Sequence, residues 1–168
     1  MISEKTATDA EIRAWKDYDI CGMTAVWNEV VDEGNAFPQE ERLDEKSGRA
    51  FFLQQTYCGV AVLGGESAGL YILHPNNVGR CGHICNASFA VSSRCRGQGI
   101  GELLVRDCLK RAKEYGFGVL QFNAVVESNM RARRLYEKLG FVQLGVIPNG
   151  FRMKDGSLEN ICPYYHEL

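Results

Sequence analysis

Residues 87–104 read ASFAVSSRCRGQGIGELL, and no other stretch has residue types and spacing so suited to chemistry. An alternation typical of a strand runs into glycines at 97, 99 and 101, and a helical run of apolar residues follows directly. A helix that starts there has backbone N–H groups with no partner inside the helix, and its dipole adds partial positive charge. Such a turn is a ready site for phosphate oxygens. Gly97, Gly99 and Gly101 let the backbone approach an anion without Cβ collisions, and Arg94 and Arg96 can add charge-assisted contacts. The spacing narrows the nucleotide. No Gly-Lys-Ser/Thr closes the turn, which excludes a Walker A loop. The glycines run Gly-x-Gly-x-Gly instead of Gly-x-Gly-x-x-Gly, and the turn comes late, after a run of antiparallel character, which argues against a dinucleotide-binding βαβ unit.

The elements that must position this turn follow from periodicity. The sequence predicts a strand at 11–15, then a helix capped by Asp17 or Asp19 and running to about Glu33. Ile20, Met23, Val26, Trp27, Val30 and Val31 form its buried stripe and Gly34 ends it. Residues 39–46 read as a short charged helix. Apolar runs at 51–55, 57–63 and 68–74, broken by Gly64-Gly65 and Pro75-Asn76-Asn77, read as strands paired antiparallel, with 83–91 the next strand. A helix at 101–115 stops at Gly116; a strand at 119–125, a helix at 129–139 and a strand at 141–147 follow. Lys154-Asp155-Gly156-Ser157 is a hairpin turn before a last strand at 161–166. The order β-α-α-β-β-β-β-α-β-α-β-β, with no repeat and no linker, predicts a single α+β domain over residues 1–168 with a central mixed sheet.

Composition removes several function classes. The chain of 168 residues is 45% apolar and 24% charged, ordinary for one globular domain with its own core. A net charge of −2 without a basic block speaks against binding nucleic acid through its phosphates. Residues 1–9 are polar and lack a signal-peptide core, and no apolar run is long enough to span a bilayer, so a cytoplasmic protein without a membrane partner is expected. Seven cysteines at scattered spacing suggest reduced thiols. Cys81-Gly82-His83-Ile84-Cys85 is the one cluster with metal-ligand residues; without a second Cys/His pair at zinc spacing it reads as a strand, and no metal is expected.

Two motifs together carry a family resemblance. Arg96-Gly97-Gln98-Gly99-Ile100-Gly101 resembles the Arg/Gln-x-x-Gly-x-Gly/Ala signature of GNAT acetyltransferases, and residues 128–141, SNMRARRLYEKLGF, are similar to that family's second signature, Asn-x-x-Ala-x-x-Leu-Tyr-x-Lys-x-Gly-Phe. The resemblance implies the GNAT fold: a central, mostly antiparallel mixed sheet with two splayed parallel strands, 87–91 and 119–125, flanked by helices. It implies acetyl-CoA as co-substrate in the gap between those strands. The pyrophosphate would lie on the N–H groups of Gln98, Gly99, Ile100 and Gly101, beside Gly97 and Arg96, and the pantetheine arm would pair with the backbone of Phe89, Ala90 and Val91. Asn129 matches the position that touches the CoA arm and also suits a helix N-cap. Tyr136 matches the tyrosine that protonates the departing thiolate, a role open to a phenol with an ordinary pKa of about 10.

The implied reaction is direct attack of an amine on the thioester, with a backbone N–H near Val91 polarising the carbonyl. The base is open. The two strands offer Asn86 and Asn123 but no carboxylate; Glu127, His83 and a water chain are the candidates, or the neutral amine binds directly, and Glu127 and His83 each have a bland explanation. Asn86 and Asn123 interrupt apolar strands, where a buried amide needs partners. Either they bind a small polar substrate such as the carboxylate of an amino acid, or they pair with backbone and hold the splay. Residues 27–38, WNEVVDEGNAFP, resemble the first helix and loop of phosphinothricin-type and fungal proline-analogue acetyltransferases, which implies a small amino-acid-like amine as acceptor, with Asn35 and Phe37 at its pocket and Trp27 in the core. Two alternatives stand beside this: a protein N-terminal or lysine acetyltransferase, and an acetyl-CoA sensor that does not transfer. Members of the family are often dimers, which makes a homodimer the expected assembly.

Overall fold

The computed structural model describes residues 9–168. The polar start at 1–9 falls outside them except for Asp9. β1 (Glu11–Ala14) leads through a 3-10 turn, Asp17–Asp19, into α1 (Ile20–Glu33), and α2 (Glu45–Leu53) follows. Then come β2 (Tyr57–Leu63), β3 (Glu66–Pro75), β4 (Ile84–Val91), α3 (Ile100–Glu114), β5 (Val119–Val126), α4 (Met130–Lys138), β6 (Val142–Gln143), β7 (Ile147–Arg152) and β8 (Leu158–Glu167). Among the described residues no helix is long and apolar enough to cross a membrane. Among the described residues no group of three or more metal-ligating side chains is gathered: Cys81 is exposed in a turn, while Cys85 is buried on β4.

The eight strands form one sheet in the order β1-β2-β3-β4-β5-β8-β6, with β7 also paired to β8. All pairs are antiparallel except β4 with β5. Two cores cover its faces. On one, α1 and α2 bury Met23, Trp27, Val30 and Phe52 against Leu70, Ile72 and Ala90. On the other, α3 buries Ile100, Leu104, Val105 and Cys108 against Tyr71, Leu73, Cys85, Leu120 and Phe122. Strand alternation therefore fixes which face each site residue serves: Phe89 and Val91 pack on the α3 side, and Ala90 on the α1 side.

The helix stripe of α1 is as expected, with all six predicted apolar residues buried and Gly34 closing it at φ 62°. Four expectations are corrected. Asp19 occupies the N-cap position of α1 but does not cap it. Its carboxylate turns back to Arg13 (2.7 and 2.9 Å) and to the Lys16 N–H (2.8 Å). Residues 39–44 are not helical; the second helix begins after Asp44, whose side chain accepts the Ser47 N–H while Ser47 Oγ accepts the Asp44 N–H. That helix absorbs residues 51–53 of the predicted 51–55 strand, because Phe51 and Phe52 gain ring contacts with Trp27 at 5.1 and 6.2 Å. The predicted 141–147 strand breaks into β6 and β7, since Gly145 adopts φ 157° and the chain then re-pairs with β8 from Ile147.

The Arg13–Asp19 pair ties β1 to the start of α1. Burial opposes ionisation of Asp19, but Arg13 and the Lys16 N–H outweigh it and hold the carboxyl below the usual range. A folded-state pKa below the unfolded one stabilises the fold above the ordinary carboxylate value of about 4 and loses that effect as pH falls through the lowered value. Asp19→Asn should therefore cost about 2–3 kcal/mol at pH 7. The gap to wild type should close in urea titrations repeated at progressively acid pH. A gap independent of pH would show that packing, not charge, is what the substitution removes.

Candidate active site

β4 and β5 are joined at only two positions, Ile84↔Val119 and Cys85↔Leu120. Beyond Cys85 they part. β4 keeps its register with β3 as far as Val91, so its other edge carries backbone donors and acceptors with no strand partner from Asn86 onward, of which Arg96 takes the Val91 carbonyl. β5 bends away with β8, through an irregularity between Phe122 and Val125. The gap is a cleft of about 970 Å³ that passes through the sheet. Phe89, Val91, Phe122, Leu135 and Tyr136 line its α3 side; His74, Asn86, Asn123, Asn35 and Phe37 line its α1 side.

At the open end lies the glycine turn. Gly97 and Gly99 have φ of 78° and 82°, which only glycine adopts without strain. Gly99 is the N-cap of α3 and brings no side chain to satisfy the helix N–H groups. Gly97, Gly99, Ile100 and Gly101 line the cleft; the Gln98 side chain instead donates to the Arg94 carbonyl (3.2 Å). Glu102, in the first turn of α3, would repel an anion if left alone. Lys138 (2.7 Å) and Arg106 (2.8 Å) bind it and hold its carboxyl below the usual range.

The arginines divide. Arg96 lines the cleft, with Nε donating to the Val91 carbonyl (3.2 Å) and its guanidinium on Glu33 of α1 (2.7 Å). Arg94 faces outward toward Glu66 (3.7 Å) and is not part of the cleft wall. Glu29 of α1 accepts the Ser93 N–H (2.7 Å) and the Ser92 hydroxyl (3.3 Å), so two carboxylates of one helix hold the loop after β4. Arg131 of α4 was not singled out by its sequence position. It lines the cleft, and its guanidinium lies 4.0 Å from where a Cβ on Gly97 would stand. Among the described residues it has no carboxylate partner.

Tyr136 is held by its ring against Phe122 (4.4 Å), Phe141 (5.5 Å) and Tyr164 (6.1 Å). It lines the cleft; burial, with a contribution from the Cys108 thiol, pushes its pKa up, so it stays protonated. Asn129 caps α4 by accepting the Ala132 N–H (3.2 Å) and lines the cleft as well. Phe89 and Val91 reach the cleft with their side chains; Ala90 is buried under α1 and has only backbone to offer.

Asn86 and Asn123 meet across the gap, but through a third amide that the sequence reading left in a turn. Asn76 Oδ1 accepts from Asn123 Nδ2 (2.7 Å) and Asn86 Nδ2 (3.3 Å), and Asn76 Nδ2 donates to Asn123 Oδ1 (3.3 Å). Neither asparagine side chain bonds backbone. Of the base candidates, Glu127 accepts from Asn160 Nδ2 (2.8 Å) and His83 is exposed at the closed end of β4; neither lines the cleft.

A family model described as acetyltransferase (GNAT) family matches residues 16–141. The chain is 29% identical over 165 residues to N-acetyltransferase aca1 of Schizosaccharomyces pombe, covering 86% of this chain and 78% of that protein. The fold is similar to a GCN5-related N-acetyltransferase from Kribbella flavida, with a TM-score of 0.89 and 28% identity over 97% of this chain and all (100%) of that one. A phosphinothricin acetyltransferase from Sinorhizobium meliloti, solved in complex with acetyl-CoA, shares the fold at a TM-score of 0.87 and 21% identity, over 95% of this chain and 89% of that one.

Arg131→Ala tests the turn. Loss of one exposed charge-assisted contact is expected to weaken CoA binding about tenfold in calorimetry. The melting temperature should not move, because the side chain supports nothing else. Unchanged affinity would assign the pyrophosphate charge to the backbone and Arg96 alone.

Proposed function

The chain belongs to the GNAT acetyltransferase family, and on that premise, as an acetyl-CoA-dependent N-acyltransferase, we propose that it acetylates the amine of a small amino acid or amino-acid analogue in the cytosol. The carrying observation is the amide cluster of Asn76, Asn86 and Asn123 at the α1 side of the cleft. Amide N–H groups suit a carboxylate, and there the cluster lies opposite the turn that suits phosphate. Asn35 and Phe37, from the loop after α1, add a neutral part to the same wall. The two cleft carboxylates, Glu33 and Glu102, are already paired with cations, which leaves no acidic groove for a basic peptide. The likeness of residues 27–38 to phosphinothricin-type enzymes points the same way, as does the name of the similar Sinorhizobium protein.

The residues fit acetyl-CoA on observations of this chain: an uncapped helix N-terminus, two glycines at positive φ and an unpartnered strand edge in one continuous cleft. Acetyl-CoA supplies an acyl group on a thioester. The N–H groups of the turn take the pyrophosphate, with Arg96 and Arg131 beside it. The free edge of β4 from Phe89 to Val91 holds the pantetheine arm as an added strand and offers a backbone N–H to the carbonyl oxygen, where charge develops. Tyr136 stands on the α3 side and gives its proton to sulfur. Burial raises its pKa, so the proton is in place throughout the neutral range and is lost only at strongly alkaline pH.

Release of free CoA thiol from acetyl-CoA, followed across amino acids including proline and phosphinothricin, polyamines, aminoglycosides and short peptides, tests the acceptor class. Turnover confined to amino acids is expected. Peptide-only turnover would move the protein to the N-terminal or lysine acetyltransferases, and tight binding without turnover would make it a sensor. Tyr136→Phe should lower kcat about a hundredfold while leaving acetyl-CoA affinity intact. Asn86→Ala and Asn123→Ala should each raise the acceptor KM about tenfold, the loss expected for one hydrogen bond to a charged group. An unchanged acceptor KM in both would show that the amides only hold the splay.

A further inference from the structure

We propose that His74 is the general base that takes the proton from the acceptor ammonium, an inference that rests on the acyl-transfer reading of the cleft. His74 is the penultimate residue of β3 and pairs in register with Asn86. Directly opposed residues on antiparallel strands have Cβ atoms about 4.5–5.5 Å apart on the same face. Alternation puts that face on the α1 side, because Ile72 and Leu70, two and four residues earlier, pack under α1. The imidazole therefore lies in the acceptor half of the cleft, beside the amides proposed to hold the substrate.

Its hydrogen bonding sets the tautomer. Nδ1 lies 3.0 Å from the Pro75 carbonyl oxygen. A carbonyl oxygen only accepts, so Nδ1 carries the hydrogen. In the neutral ring Nε2 is then left with its lone pair, and no protein donor takes it among the described residues. The cleft-wall carboxylates and the phenol are not free in this way. Glu33 is held by Arg96, Glu102 by Lys138 and Arg106, and Tyr136 is a protonated phenol on the opposite face.

The proton balance needs such a group. From ammonium to amide, nitrogen sheds two protons while sulfur gains one. His74 Nε2 takes the first, which frees the lone pair that forms the N–C bond. The second leaves nitrogen as the C–S bond breaks and, through water, restores the proton that Tyr136 has given to sulfur. The imidazolium then releases its proton to solvent. One thioester and one ammonium become one amide, one thiol and one proton.

His74→Asn is the test, because its side-chain N–H keeps the hydrogen bond to the Pro75 carbonyl while the lone-pair nitrogen is gone. Alanine and proline are compared with their N-amino counterparts, 2-hydrazinopropionate and N-aminoproline, which are far less basic, so that a much larger share carries a free nitrogen lone pair at neutral pH. With alanine or proline, kcat should fall about a hundredfold or more, with the melting temperature and acetyl-CoA KM unchanged. With the hydrazines the loss should be less than tenfold. Nitrogen-15 spectra of the wild-type imidazoles should show His74 as the Nδ1–H tautomer. Equal losses for amines and hydrazines, full activity of the variant, or an Nε2–H tautomer would each overturn the proposal. If wild type acetylates neither amino acid, the amino-acid acceptor fails separately. The same amine-to-hydrazine comparison on the acceptor class that releases thiol then decides His74.

Discussion

Everything in this site depends on two parallel strands that stop pairing after two residue pairs. A buried strand edge with free N–H and C=O groups is costly unless something satisfies it. Here three devices keep β4 and β5 apart. β5 carries an irregularity between Phe122 and Val125 and follows β8 instead of β4. Phe122 and Phe141 stack at 4.8 Å with an interplanar angle of 15°, anchoring β5 in the α3-side core away from β4. Asn76 spans the other side and bonds an amide from each strand. The free edge is thus open to a chain that brings its own amide groups, as the pantetheine arm proposed to lie there would.

The loop after β4 is anchored from an unexpected direction. Glu29 and Glu33 stand one helical turn apart on α1, and together they take the Ser93 N–H, the Ser92 hydroxyl and Arg96. Placing two carboxylates near an anion site costs binding energy unless their charge is spent elsewhere. Both are spent on donors of the loop, so α1 stiffens the turn without leaving a free negative charge against the phosphates proposed to bind there. Glu102 follows the same rule on α3 through Lys138 and Arg106. The net field at the turn comes from backbone dipoles and from Arg131, a cleft-wall cation with no carboxylate partner among the described residues.

What the sequence made legible was local. The glycine turn, the Tyr136 helix and the α1 stripe are each written within a dozen or so neighbouring residues, and each stands where periodicity put it. The misplaced elements failed where tertiary packing overrode pattern: Phe51 and Phe52 look like strand residues until Trp27 gives them a helix-side partner. The missed site residues are joined only by the sheet. Asn76 lies 10 residues from Asn86 and 47 from Asn123, at a position that reads as a turn. Arg131 sits in a helix whose first turn meets the glycine loop only in three dimensions. His74 ends a strand and gains meaning from its register with Asn86, which no linear spacing encodes.

The sheet also divides the chemistry. Odd and even residues of β4 face opposite cores, so Phe89 and Val91 share a side with Tyr136 while Asn86 shares the other with His74 and Asn123. In the proposed reaction, the proton taken from nitrogen and the proton given to sulfur are handled on opposite faces, at groups that do not touch. That separation matters because a single group near both atoms would have to be a good base and a good acid at one pH. Burial among aromatic rings suits Tyr136 to hold a proton, whereas His74, at the strand end and bonded to a carbonyl through Nδ1, is suited to accept one. A gap through a sheet is the simplest geometry that brings two reactants together while keeping two such different environments a few residues apart.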